Sequence, residues 1–287
     1  MKTIIITDSC CDLSYDYITE NNLEVIPFPF SIDGTDYVDD FGSSLSYRDF
    51  YDQLRKGAIP STSQISAFVF EQLFRKHVAE GNAVVYIGFS SALSQTFNNS
   101  VLARNIVLEE SPDADITVID SRSASVGLGA IVFYANELLK QGKSKDEIIE
   151  WIESNKLKFN HWFIIDSLEH LKRGGRISAA SAAVGTMLDI KPLLNVDDEG
   201  KLNVIKKIRG RKKAIRELLD ELKNIKDPEK QTIFINHGDC IKDAEQLRDL
   251  VLREVNVKDV VINYIGPIIG SHTGPGMLCL VFMGDKR

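Results

Sequence analysis

Four clusters of small polar residues, spread along the whole chain, have the composition of an anion site. They are Pro60-Ser61-Thr62-Ser63-Gln64, Gly88-Phe89-Ser90-Ser91-Ala92-Leu93-Ser94-Gln95-Thr96, Leu171-Lys172-Arg173-Gly174-Gly175-Arg176-Ile177-Ser178 and Gly270-Ser271-His272-Thr273-Gly274-Pro275-Gly276. Each offers neutral hydroxyls, backbone N–H groups or a cation, and none offers a carboxylate. Such groups receive negative charge. A carboxylate held away from water needs hydrogen bonds to keep its charge, and the hydroxyls of Thr62 and Ser94 are of the type that supplies them. Amides of a helix starting after Ser91 would add N–H donors and the positive end of a helix dipole. In the plainer reading Thr62 and Ser94 only cap helices, and His272 is a polar residue of a surface turn.

The elements that must position these clusters follow from the apolar pattern. Lys2 to Thr7 reads as a buried strand, followed by a helix near Ser14 to Asn22 and a second apolar run from Leu23 to Phe30. A helix near Tyr47 to Lys56, capped by Ser46, leads into a loop at Pro60 to Ser63. Ser66 then caps a helix over Ala67 to Ala79, whose apolar stripe includes His77 and makes it a core or boundary histidine. Ala83 to Ile87 is a strand that turns through Gly88 to Ser91 into a helix reaching Glu110. Ile116 to Ile119 is another strand, followed by a helix from Ala124 to Lys140 that Gly142 ends. Repeated strand, polar turn and helix argue for a parallel sheet flanked by helices, with ligands beyond the strand C-termini.

After a helix near Lys145 to Asn155 the pattern changes. Trp162 to Ile165, a Gly-Gly loop carrying Arg173 and Arg176, and an Ala/Ser-rich helix near Ala179 to Asp189 come first. A hairpin of Pro192 to Val196 and Leu202 to Ile208 follows, joined through Asp197-Asp198-Glu199-Gly200. Two helices, Lys212 to Lys223 and Ile241 to Val255, flank Thr232 to Asn236, and Val260 to Tyr264 and Leu278 to Met283 close the chain. The reading is a two-domain α/β protein: an α/β unit over residues 1–160, an α+β unit over 161–287, and the ligand in the cleft between them.

At 287 residues and 44% hydrophobic, the chain is long enough for two such cores. No apolar run approaches the roughly 20 residues of a membrane span, and Met1-Lys2-Thr3-Ile4-Ile5-Ile6 is too short for a secretory apolar region. A cytoplasmic protein is expected. Cys10 and Cys11 are adjacent while Cys240 and Cys279 stand apart, so no Cys/His spacing suits zinc, and no metal or cofactor is expected. The net charge of −7 argues against nucleic acid. The charge is uneven: residues 1–160 hold 13 Lys/Arg and 23 Asp/Glu, residues 161–287 hold 21 and 18. Lys172-Arg173-Arg176 and the run from Lys206 to Lys213 make up most of that second-half excess.

The order Thr7-Asp8-Ser9 with Cys11-Asp12-Leu13, Pro60 through Gln64, Ser90-Ser91 with Leu93-Ser94, Asp120-Ser121, Leu171 through Ser178, Lys191-Pro192 and His272 through Gly276 resembles the DegV family from first strand to last. That family contains bacterial fatty-acid-binding proteins, some of them the lipid-carrying subunit of fatty acid kinase. The resemblance implies a carrier with no catalytic residues of its own, holding one long-chain fatty acid. The family's carboxylate-binding Thr and Ser match Thr62 and Ser94, its active-site histidine matches His272, and its basic loop matches Arg173 and Arg176. Ser63, Ser91 and Gln95 complete the candidate ligand-binding set. Gln95 replaces the glycine of the family's usual Leu-Ser-Gly-Thr.

The implied partners are a separate ATP-binding kinase subunit, an acyltransferase that uses the acyl phosphate, and transient contact with a membrane surface. This chain has no GxxxxGK[ST] of its own. Phe28, Phe30, Phe89, Met187, Ile190, Ile268 and Ile269 lie near the clusters and are candidates for lining a tail pocket. No role is assigned to His161, His170 or His237, although His237 follows a strand and could line the cleft. Two alternatives use the same residues. One is a serine hydrolase or acyltransferase with Ser94 as nucleophile, His272 as base and Asp8 or Asp120 orienting it, although no GxSxG elbow is present. The other is a polar-anion binding protein.

Overall fold

The computed structural model describes residues 1–178 and 189–287. The helix expected near Ala179 to Asp189 therefore lies almost wholly outside the described residues, as does Met187.

The first part of the chain runs β1 (Thr3–Asp8), α1 (Tyr15–Glu20), β2 (Glu24–Ile26), β3 (Pro29–Ile32), β4 (Thr35–Val38), α2 (Tyr47–Arg55), β5 (Pro60–Thr62), α3 (Ala67–Ala79), β6 (Ala83–Gly88), α4 (Thr96–Glu110), β7 (Ile116–Asp120) and α5 (Val126–Lys140). β2, β1, β6 and β7 form, in that order, a parallel sheet. Its inner strands are continuous apolar runs because both faces are covered, as parallel sheets require. β6 is buried at every residue.

β4, β3 and β5 form a small antiparallel sheet. Here the structure corrects the expected loop: Pro60 to Thr62 is an edge strand, where a proline costs no ladder hydrogen bond. The expected single run from Leu23 to Phe30 is likewise split by Pro27 into β2 and β3.

The second part runs α6 (Lys145–Asn155), β8 (Phe159–Ile164), α7 (Glu169–Arg173), β9 (Ile190–Val196), β10 (Leu202–Arg209), α8 (Arg211–Asp220), β11 (Thr232–His237), α9 (Ile241–Glu254), β12 (Asp259–Tyr264), α10 (Pro267–Thr273) and β13 (Leu278–Met283). Six strands form one sheet in the order β10-β9-β8-β13-β11-β12, antiparallel except for β11 and β12. Ile164, Leu193, Ile233, Ile235 and Leu280 on one face pack with Ala214, Ile215, Leu218, Leu247 and Val251 of α8 and α9.

The opposite face meets the first half of the chain, and α5 lies between the two sheets. It packs against β1 and β6 on one side and against β8, β11 and β13 on the other. That position explains a helix that is apolar nearly all round, from Val126 to Ala135. Two glycines let it come close. A Cβ at Gly129 would lie 2.4 Å from the Cys11 carbonyl, and one at Gly127 only 1.7 Å from His161 Cε1.

Polar bonds pin the same junction. Asp12 accepts from the Gly266 amide at 2.8 Å and from the Ser125 hydroxyl at 2.5 Å, while Tyr51 donates to the Ile265 carbonyl at 2.9 Å. Among the described residues no helix is long and apolar enough to cross a membrane.

Candidate functional site

A cavity of about 520 Å³ opens at this junction, within the size range of small-molecule sites. Its mouth is polar and exposed at Ser63, Gln64, Ala92 and Gln95, whereas Phe28, Phe89, Phe163, Val196, Leu171 and Ile268 are buried in its walls. Seven of the eight candidate residues line it: Thr62, Ser63, Ser91, Ser94, Gln95, Arg176 and His272. Arg173 does not. It is exposed at the end of α7 and donates to His170 Nδ1 at 2.8 Å. Thus the Gly-Gly turn divides the two arginines, leaving Arg173 on a helix rather than on the expected loop and Arg176 in the cavity wall.

The hydroxyls are not equivalent. Thr62 Oγ1 lies 2.8 Å from His272 Nε2. Ser94 Oγ accepts from the Thr96 amide at 3.2 Å and lies 3.0 Å from Thr96 Oγ1, which itself accepts from the Ile65 amide. A donation from Thr96 to Ser94 leaves the Ser94 proton for a ligand. Ser91 is committed elsewhere, since its hydroxyl donates to Asp120 at 2.5 Å. The helix expected after Ser91 begins only at Thr96, because Asp120 takes the Ser91 amide and the Ser90 carbonyl takes those of Leu93 and Ser94 in an intervening turn. The helix dipole therefore starts at Gln95 and Thr96, beside Ser94, and not at Ser91. Gln95 accepts from Asn98, leaving its amide N–H₂ at the mouth.

His272 is not in a loose turn. It is the penultimate residue of α10, and the turn is Gly274-Pro275-Gly276. Burial, then the neighbouring Arg176, His170 and Arg173, push its pKa down to about 4, so the imidazole is neutral near pH 7. Among the described residues its buried Nδ1 has no partner; it packs on Gly174, where a Cβ would come within 2.1 Å. Arg176 donates to the carbonyls of Leu93 and Gly174, and burial lowers its pKa. No Asp or Glu lines the cavity among the described residues.

The hydrolase arrangement is not assembled. His272 faces Thr62 and Ser94 faces Thr96. Asp8 accepts from Tyr86, Phe89 and Cys10, and Asp120 from Ser91 and Arg122, so neither carboxylate orients His272.

Of the expected tail residues, Phe28, Phe89, Ile268 and Ile269 line the cavity. Phe30 instead stacks on Tyr37 beneath the small sheet, and Ile190 opens β9 away from the cavity. His237 packs on Tyr264 outside it. Phe163, His161, Met277 and Cys279 escaped the sequence reading. Their spacing of two on β8 and at the start of β13 was the available signal, since alternate residues of a strand share a face.

Residues 2–285 match a family model described as "Uncharacterised protein, DegV family". The chain belongs to the DegV family. A DegV domain-containing protein of Clostridium perfringens is 47% identical over 287 residues, covering 100% of this chain and 99% of that protein. A structure from Thermus thermophilus, described as fatty acid binding of a DegV family protein, is similar at TM-score 0.88 and 31% identity, covering 99% of this chain and 100% of the other. The Streptococcus pneumoniae fatty acid kinase B3 protein loaded with linoleic acid shares the fold at TM-score 0.84 and 24% identity, covering 99% and 100%. The DegV fold thus accounts for the parallel sheet, the second sheet and the cavity between them.

Proposed function

We propose that this chain carries one long-chain fatty acid and presents its carboxylate to a separate ATP-dependent kinase. The observation that carries the reading is the cavity's gradient, from hydroxyls, Arg176 and a neutral histidine at one end to apolar walls at the other, with no lining carboxylate among the described residues. At roughly 0.8 kcal/mol per buried CH₂, a tail of about fourteen methylenes gains on the order of 11 kcal/mol before ordering losses. A simple polar anion would gain nothing from those walls, which disfavours the polar-anion alternative. The two units, 1–160 and 161–287, each contribute a wall. That division is supported by sheets whose strands lie wholly before residue 121 or after residue 158.

In this reading His272 acts through Thr62. With the proton on Nε2, His272 donates to Thr62 Oγ1, and the Thr62 hydroxyl donates onward to the carboxylate, which Ser94 also meets. A carboxylate oxygen then attacks the γ-phosphorus of ATP held by the partner, ADP leaves, and Arg176 offsets the added charge of the acyl phosphate. Native mass spectrometry of the purified chain, followed by organic extraction, tests the carrier. One fatty acid per chain is expected. A protein that is empty and also refuses added palmitate and oleate rejects the reading.

Exposed Arg173 lies beyond the cavity wall, which suits contact with the kinase rather than with lipid. Arg173→Ala is expected to keep full lipid occupancy and to lower acyl-phosphate formation at least tenfold in an assay with the kinase subunit. Turnover equal to the wild type would remove Arg173 from the contact.

A further inference from the structure

The cavity contains a second histidine far from the mouth. His161 stands on the inner face of β8, two residues from Phe163. Phe163 pairs with Cys279 and His161 with Val281. Continuing the β8–β9 register puts His161 opposite Val196, which pairs with Leu202. The lining therefore falls into rows across the sheet: Met277, then Cys279 with Phe163, then His161 with Val196 and Leu202. At about 3.3 Å per residue the last row lies roughly 13 Å beyond Met277, a reach of roughly ten C–C bonds of an extended chain. A tail entering past His272 meets His161 in its distal half.

The hydrogen bonds around His161 fit one tautomer. Ser123 Oγ donates to the Ser121 carbonyl at 3.1 Å, accepts from Arg287 Nη2 at 3.2 Å, and lies 3.3 Å from His161 Nε2. With that single proton on the Ser121 carbonyl, the serine accepts from His161 and Nε2 carries hydrogen. Burial and the nearby Arg287 hold the imidazole neutral. Nδ1 is left with a bare lone pair and no protein partner among the described residues. Gly127 makes a close-fitting niche for the ring. An imidazole acceptor without a partner is unfavourable in an apolar chamber unless the ligand supplies a donor.

We propose that the tail chamber selects acyl chains bearing a hydroxyl in their distal half, whose O–H donates to His161 Nδ1. The inference rests on the fatty-acid reading above. The test measures binding of stearate, 3-hydroxystearate and 12-hydroxystearate to the delipidated full chain by titration calorimetry. For the wild type, 12-hydroxystearate is expected to bind about three- to tenfold more tightly than stearate, with no such gain for 3-hydroxystearate. His161→Leu is expected to reverse that preference, because an apolar chamber rejects a hydroxyl.

Stearate bound more tightly than 12-hydroxystearate by the wild type overturns this inference and leaves the carrier intact. Binding of none of the three overturns both. The ¹⁵N resonance of His161 Nδ1 gives a readout that needs no variant. It is expected to shift with 12-hydroxystearate and not with stearate, and the same spectrum with both ligands counts against the proposal.

Discussion

Replacing both Thr62 and Ser94 by alanine is expected to raise the Kd for palmitate by about a hundredfold or more. In the proposed site each hydroxyl would donate to the carboxylate, an interaction of about 1.5–3 kcal/mol, and about 1.4 kcal/mol is a tenfold change in affinity. The loss of Thr62 also removes the partner of His272. Without Thr62, His272 Nε2 has no partner among the described residues and Nδ1 already has none, so a buried imidazole is left unpaired beside Arg176. Hexadecanol separates the head group from the tail: it has the same apolar length and no charge, and its affinity should fall far less. Thr62→Ser keeps the hydroxyl and should restore most of the binding. A folded double variant that binds palmitate within threefold of the wild type would sink the assignment of this site.

The polar residues that line the cavity were legible because their chemistry is concentrated in short runs. Thr62, Ser94, Arg176 and His272 sit in four compact clusters, and burial does not hide a residue type from the sequence. Local order within those runs was less legible. Pro60 to Thr62 reads as a loop by composition and becomes a strand only because β3 offers an edge to pair with, a tertiary fact. Ser91 looked like the start of a helix, yet Asp120, 29 residues away, captures its amide and hydroxyl and delays the helix to Thr96. The tail end was hardest to read. Phe163, Val196 and Cys279 face the cavity rather than the core because of sheet register, and nothing in an apolar alternation says which face holds the empty space.

Asp12→Asn is expected to stabilise the protein most at pH 8, less at pH 5, and to leave it nearly unchanged below about pH 4. Burial raises the Asp12 pKa to about 7, its donors Ser125 and Gly266 offsetting only part of that rise, and burial raises Asp8 to about 6 and Asp39 well above the ordinary value. The unfolded carboxyl ionises near 3.8, so between that pH and 7 the folded state holds more protons than the unfolded one. The stability contributed by Asp12 is therefore complete below about pH 4 and is lost as pH rises through 7.

Histidines run the other way. His272 and His237 are depressed to about 4 and burial lowers His161 as well, so their contribution is present above 6.5 and fades as pH falls. Raw melting curves mix these effects, whereas the difference between wild type and Asp12→Asn isolates one carboxyl. Asparagine keeps an acceptor for the Gly266 amide and turns a donor toward Ser125 and the neighbouring Asp39. A shift of roughly three pKa units bounds the gain at about 4 kcal/mol, and the variant should melt about 5 to 10 °C above the wild type at pH 8. Melting temperatures that track each other from pH 5 to pH 8 would mean that Asp12 stays ionised in the fold. The junction that carries α10 and His272 would then be held by charge rather than by a shared proton.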